Sequence, residues 1–162
     1  MVNEYPKFLT EEECIRLIGL GESGELNPGK IKSQGSGYRK AKVRWMKEGE
    51  LIDKVRKEVS LLSGYPIENQ ESFHFVKYSQ DGEYKPHYDG EKRAKTALIY
   101  LNDGFVGGET LFININRTIK PETGKLVIWD NINESGKDPD SFHAGLPVEF
   151  GTKYIAVIWI KK

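Results

Sequence analysis

The sequence predicts a mainly β chain, with antiparallel strands closing into a jelly roll or barrel and α-helices flanking the sheet. Two observations carry that prediction. From residue 71 onward, six short runs rich in aromatic and β-branched residues are separated by clusters of Gly, Asn, Asp and Pro, and no helical period interrupts them. Ahead of them, two segments repeat apolar residues at helical spacing and carry start and stop signals. The 162 residues suit a single domain, 1–162, with helical support over about 1–70 and a jelly-roll core over about 71–162.

In chain order, LTEEECIRLIGLG (9–21) reads as a helix. Thr10 and Glu13 make a capping box, Cys14, Leu17 and Ile18 share one face, and Gly19 and Gly21 are expected to end it. The stretch to Lys40 is rich in Gly, Ser, Lys and Pro and reads as a loop, and NPGKIKSQGSGYRK (27–40) within it is a candidate lid. GELIDKVRKEVSLLSG (49–64) reads as a second helix with Leu51, Val55, Val59 and Leu62 on one face, stopped by Gly64 and Pro66. Strands are expected within SFHFVKYS (72–79), KTALIYLN (95–102), ETLFINI (109–115), GKLVIWD (124–130), SFHAGLPV (141–148) and KYIAVIWI (153–160), with the helices packed outside the sheet.

Composition narrows the function classes. The 24 basic and 24 acidic residues cancel, which argues against a nucleic-acid or anionic-membrane partner. The single cysteine, Cys14, excludes an internal disulfide framework and fits a reducing compartment. MVNEYPKFLTEEEC lacks the apolar core of a secretory signal, and the longest apolar run, YIAVIWI, is far too short to span a bilayer as a helix. The expectation is a soluble, cytoplasmic protein.

Chemistry concentrates in YKPHYDG. In an extended segment, residues i and i+2 point to the same side, so His87 and Asp89 can present an imidazole and a carboxylate to one point. Alone, the pair reads first as a polar turn ahead of a strand. His143, at the start of a late strand, supplies a third donor. Two imidazoles and one carboxylate on one face of an octahedron is the arrangement of non-haem Fe(II) oxygenases, and no H-E-x-x-H helix is present to favour a zinc hydrolase. His74 reads as an ordinary strand residue. Lys153 shares a strand face with Ile155, Val157 and Trp159, and an inward ammonium requires an anion, such as the far carboxylate of a dicarboxylate cosubstrate. Tyr78 is placed to donate its hydroxyl to the same carboxylate.

YSQDGEYKPHYD, RAKTALIYLNDGFVGGETLF, PETGKLVIWDN and DSFHAGLPVEFGTKYIAVIWI together resemble the prolyl 4-hydroxylases of the Fe(II)/2-oxoglutarate dioxygenase superfamily, in the family's order and across most of residues 78–160. The resemblance implies a double-stranded β-helix core, with Fe(II) held by His87, Asp89 and His143. It implies 2-oxoglutarate bound by Lys153 and Tyr78, with Thr110 of G-G-E-T as a further contact, O₂ as the second cosubstrate and ascorbate as a reductant. It also implies a prolyl-peptide site lined by Tyr84, Arg93 and Trp159. The chain departs from the family in having only GEK between Asp89 and Arg93, and in carrying Leu146 where animal enzymes usually have cysteine. No separate peptide-binding domain is expected. These departures bear on the substrate, for which a small molecule, a free amino acid or a nucleobase is the alternative. A non-catalytic jelly-roll binding module would have no use for these four polar residues together.

Overall fold

The computed structural model describes residues 1–29 and 38–162; residues 30–37, the middle of the expected lid, lie outside the described residues. Strand β1 (Val2–Tyr5) precedes helix α1 (Glu11–Glu22), and β2 (Asn27–Pro28) and β3 (Lys42–Met46) precede helix α2 (Glu50–Ser63). Strands β4 (Phe73–Tyr78), β5 (Tyr84–His87), β6 (Arg93–Tyr100), β7 (Val106–Gly107), β8 (Thr110–Phe112) and β9 (Arg117–Ile119) follow. The chain ends with β10 (Leu126–Asp130), β11 (Ile132–Asn133), β12 (Gly136–Lys137), β13 (His143–Gly145), β14 (Val148–Phe150) and β15 (Lys153–Lys161). A seven-stranded sheet runs β1-β10-β6-β15-β4-β3-β2, a four-stranded sheet runs β5-β13-β8-β9, and β7 pairs with β14 and β11 with β12. Among the described residues no helix is long and apolar enough to cross a membrane.

Period-two alternation sorts the side chains of the large sheet into two cores. One face carries Phe73 and Phe75 of β4, Ala97 and Ile99 of β6, and Ala156, Ile158 and Ile160 of β15. Against it pack Cys14 and Leu17 of α1 and Leu51, Val55 and Val59 of α2. The opposite face carries Val76 and Tyr78, Leu98 and Tyr100, and Ile155, Val157 and Trp159. These meet Phe112 and Ile119 of the small sheet. Helices outside a large sheet, and a small sheet closing its inner face, form the expected jelly roll.

Three local expectations are corrected. Helix α1 does not stop at its glycines but continues to Glu22. A Cβ on Gly21 would lie 2.4 Å from the Phe75 ring, so that glycine permits close packing instead of ending the helix. On α2, Leu62 is exposed and Ile52 takes the buried place, while Gly64 closes the helix in the left-handed conformation, φ 75°. The first 70 residues are not purely helical: β1 and β3 join the large sheet, with β3 in register beside β4. The capping box at Thr10 and Glu13 forms as read.

Candidate active site

The small sheet brings the donors together. His87 ends β5, His143 opens β13, and the two are direct partners across that antiparallel pair. Asp89 lies two residues past His87, its Oδ1 3.5 Å from His87 Nε2. Donor atoms of His87, Asp89 and His143 lie within 4.8 Å of one another, and all three residues are buried.

The surroundings decide which atoms face the centre. His87 Nδ1 hydrogen-bonds the carbonyl of Lys85, and His143 Nδ1 that of Ser141, both at 2.7 Å. A carbonyl only accepts, so each Nδ1 carries the proton and each Nε2 is left with its lone pair. Burial pushes the His143 pKa down to about 4, keeping it in the neutral form a metal requires. For Asp89, burial alone would raise the pKa, but His143, His87 and a hydrogen bond from Thr96 together hold the carboxyl well below its usual range. Thr96 Oγ1 donates to Asp89 Oδ2 at 2.6 Å, and Asn131 Nδ2 donates to Thr96 Oγ1 at 2.8 Å, leaving Oδ1 for coordination. Two imidazoles held by their Nδ1 atoms and one ionised carboxylate, all pre-aimed, fit Fe(II).

Lys153 opens β15 beside Tyr78 of β4 and is 2 % exposed. Its Nζ sits 4.9 Å from the Tyr78 ring centre and 5.8 Å from that of Tyr100, and no carboxylate forms an ion pair with it among the described residues. Burial pulls its pKa from 10.5 down to about 7, with only Glu109 opposing the shift. Gly108 of G-G-E-T makes room for it: φ there is 70°, and a Cβ would meet the Lys153 stem at 3.1 Å and the Phe105 ring at 2.8 Å. Thr110 is buried, and its hydroxyl is 2.5 Å from that of Tyr100.

A small cavity joins these parts, with the three donors, Lys153, Tyr78 and Thr110 on its walls. Tyr84 stacks on His87 with ring centres 3.5 Å apart, and burial pushes its hydroxyl pKa well up. Trp159 lines the cavity, and Arg93 lies 3.8 Å over its ring while binding Glu71 through two 2.9 Å hydrogen bonds. Arg93 is therefore an engaged charge, not a solvated one. An open groove beside the cavity shares Arg39, Tyr84 and Trp159 with it.

Sequence reasoning missed Thr96, Asn131, Tyr100 and Arg39. Thr96 and Tyr100 had a usable signal, since both share the inward parity of Leu98 on β6. Asn131 and Arg39 had none. His74, read as an ordinary strand residue, is buried between two indoles and its pKa is pushed down to about 3 by burial.

Residues 73–161 match the family model described as 2OG-Fe(II) oxygenase superfamily. A prolyl 4-hydroxylase of Arabidopsis thaliana is 28 % identical across 96 % of this chain and 66 % of its own length. A protein of Acanthamoeba polyphaga mimivirus assigned as a prolyl 4-hydroxylase is 32 % identical across 96 % of this chain and 72 % of its own. This chain thus spans roughly two thirds to three quarters of those relatives. Among solved structures, the viral collagen prolyl hydroxylase of Paramecium bursaria Chlorella virus-1, in its 2OG complex, superposes with a TM-score of 0.83 at 28 % identity. The match covers 99 % of this chain and 95 % of that one.

Proposed function

We propose, for a chain that belongs to the 2OG-Fe(II) oxygenase superfamily and within it to the prolyl 4-hydroxylase-like enzymes, that it hydroxylates prolyl residues within a peptide or protein. Fe(II) with 2-oxoglutarate and O₂ supplies the oxidising chemistry, releasing succinate and CO₂, with ascorbate as reductant. His87, Asp89 and His143 hold the iron, and Thr96 keeps one carboxylate oxygen turned away from it. Lys153 binds the far carboxylate of 2-oxoglutarate as an ammonium, with the hydroxyls of Tyr78 and Thr110 beside it. An arriving carboxylate replaces the water the buried amine has lost and restores its charge. Tyr84 and Trp159 exclude water around the target carbon, and the Arg93 edge left free by Glu71 holds a peptide carbonyl.

One observation carries the peptide reading: beside the cavity runs an open groove that shares Arg39, Tyr84 and Trp159 with it. A small molecule would need only the cavity. A proline-rich chain enters already extended and loses little entropy on docking. The single cysteine, Cys14, buried and unpaired, fits a reducing setting. The test is incubation of proline-rich peptides with Fe(II) and 2-oxoglutarate, followed by mass spectrometry. A gain of one oxygen on proline is expected; oxygen only on free amino acids, lysine or a nucleobase would refute the peptide substrate.

A further inference from the structure

Beyond the residues around the iron, the groove is lined by a large aromatic side chain that is half exposed among the described residues. Trp45 is 47 % exposed, although it lies on the inward side of β3 with Val43. It rests on His74, ring centres 4.1 Å apart, and His74 rests on Trp159 at 5.0 Å. Register explains the stack. Trp45 is opposite His74 across the β3–β4 pair, His74 is opposite Val157 on β15, and Trp159 is two residues further along the same face. Trp159 in turn pairs with Thr96, which holds Asp89. A row of aromatic rings thus crosses the sheet from the open groove to the hydrogen-bond partner of an iron ligand.

The middle ring is unusual. His74 is 2 % exposed, and neither of its ring nitrogens has a hydrogen-bond partner among the described residues. Leaving both unpaired is costly, and an aliphatic residue would have filled that space without the cost. What the imidazole provides is a flat neutral face that holds the Trp45 indole upright at the groove, half in water.

We infer that Trp45, supported by His74, is a second recognition subsite of the groove, one that takes a proline ring flanking the hydroxylated residue in the same peptide. The inference rests on the prolyl reading above and extends it from the reacting residue to its neighbours. Three features fit this occupant. The groove lies beside the cavity and shares Trp159 and Tyr84 with it. A proline ring is compact and apolar and packs on an indole face. The polyproline II chain also carries its rings outward without internal hydrogen bonds, leaving them free to stack.

The experiment uses the full chain with peptides in which the hydroxylated proline is kept and each flanking proline is replaced by alanine in turn. In the wild-type protein one flanking replacement is expected to raise KM roughly three- to ten-fold, the scale of one aromatic stacking contact. Trp45→Ala should flatten that profile, so that the two peptides differ by less than about two-fold, while Trp45→Phe restores most of the discrimination. Because the readout is a ratio between peptides on one protein, partial misfolding does not imitate it. His74→Phe, which keeps a flat ring under the indole, should retain the profile, whereas His74→Ala should lose it. An unchanged profile in Trp45→Ala, with peptide hydroxylation intact, would overturn the subsite alone. Failure of every peptide to be hydroxylated would overturn both the substrate reading and the subsite.

Discussion

Replacing Lys153 with Met should make the protein more stable and nearly blind to 2-oxoglutarate. Methionine keeps the length of the stem and removes the charge. In the free protein Lys153 is 2 % exposed and its pKa falls from 10.5 to about 7. Between those values the unfolded chain binds more protons than the folded one, so stability climbs as pH rises from about 7 toward 10.5, and the full penalty is present below 7. At pH 7 the difference amounts to about 4 kcal/mol opposing folding, an upper figure. Allowing relaxation of the denatured and native states to absorb half leaves roughly 2 kcal/mol, which for a chain of this size is a rise in Tm of about 4–8 °C. In the proposed site the same substitution removes a buried charge-assisted contact to the cosubstrate, a loss of about 2–5 kcal/mol, or roughly 30-fold or more in affinity. Thermal denaturation at pH 7, 8 and 9, with and without 2-oxoglutarate and Fe(II) under anaerobic conditions, reads both effects. The wild type should gain stability with pH and with cosubstrate, and Lys153→Met should start higher and respond to neither. A variant that melts lower than wild type at pH 7 and still responds to 2-oxoglutarate would refute the reasoning at both points.

His143→Ala should abolish Fe(II) binding and turnover while leaving the circular dichroism spectrum essentially unchanged, checked by anaerobic Fe(II) titration; full binding would remove His143 from the centre. Thr96→Val keeps the shape and removes the hydrogen bond to Asp89 Oδ2, so Fe(II) affinity should fall about 10- to 100-fold by the same titration. Tyr78→Phe should weaken 2-oxoglutarate binding by about 1 kcal/mol, visible as a roughly five-fold higher apparent KM.

The parts of the site legible in the sequence are those whose residue types are chemically conspicuous. His87, Asp89 and His143 stand out because the chain has only three histidines, and Lys153 because alternation sets a cation among Ile155, Val157 and Trp159. Thr96 serves the iron ligand as directly as any residue, yet a threonine in a strand is ordinary, and its role exists only because Asn131 and Asp89 arrive from elsewhere in the chain. The same limit governs the fold. Long β6 and β15 are legible from their runs of aromatic and β-branched residues, while β1 and β3 are short, carry charged residues on one side and become strands only when the large sheet accepts them. Gly21 misled for a related reason: a glycine that breaks an isolated helix is the residue a helix needs where it presses on Phe75.

The division of labour between the two sheets sets how the protein should respond to heat. The large sheet has strands of up to nine residues and a core on each face, whereas β5 and β13, which carry the histidines, have four and three residues. Short strands open at lower free energy than the body they lean on. Catalysis should therefore fade several degrees below the melting of the bulk fold. For this protein a melting temperature would overstate the range in which it works, and residual activity after mild heating would be the more faithful gauge.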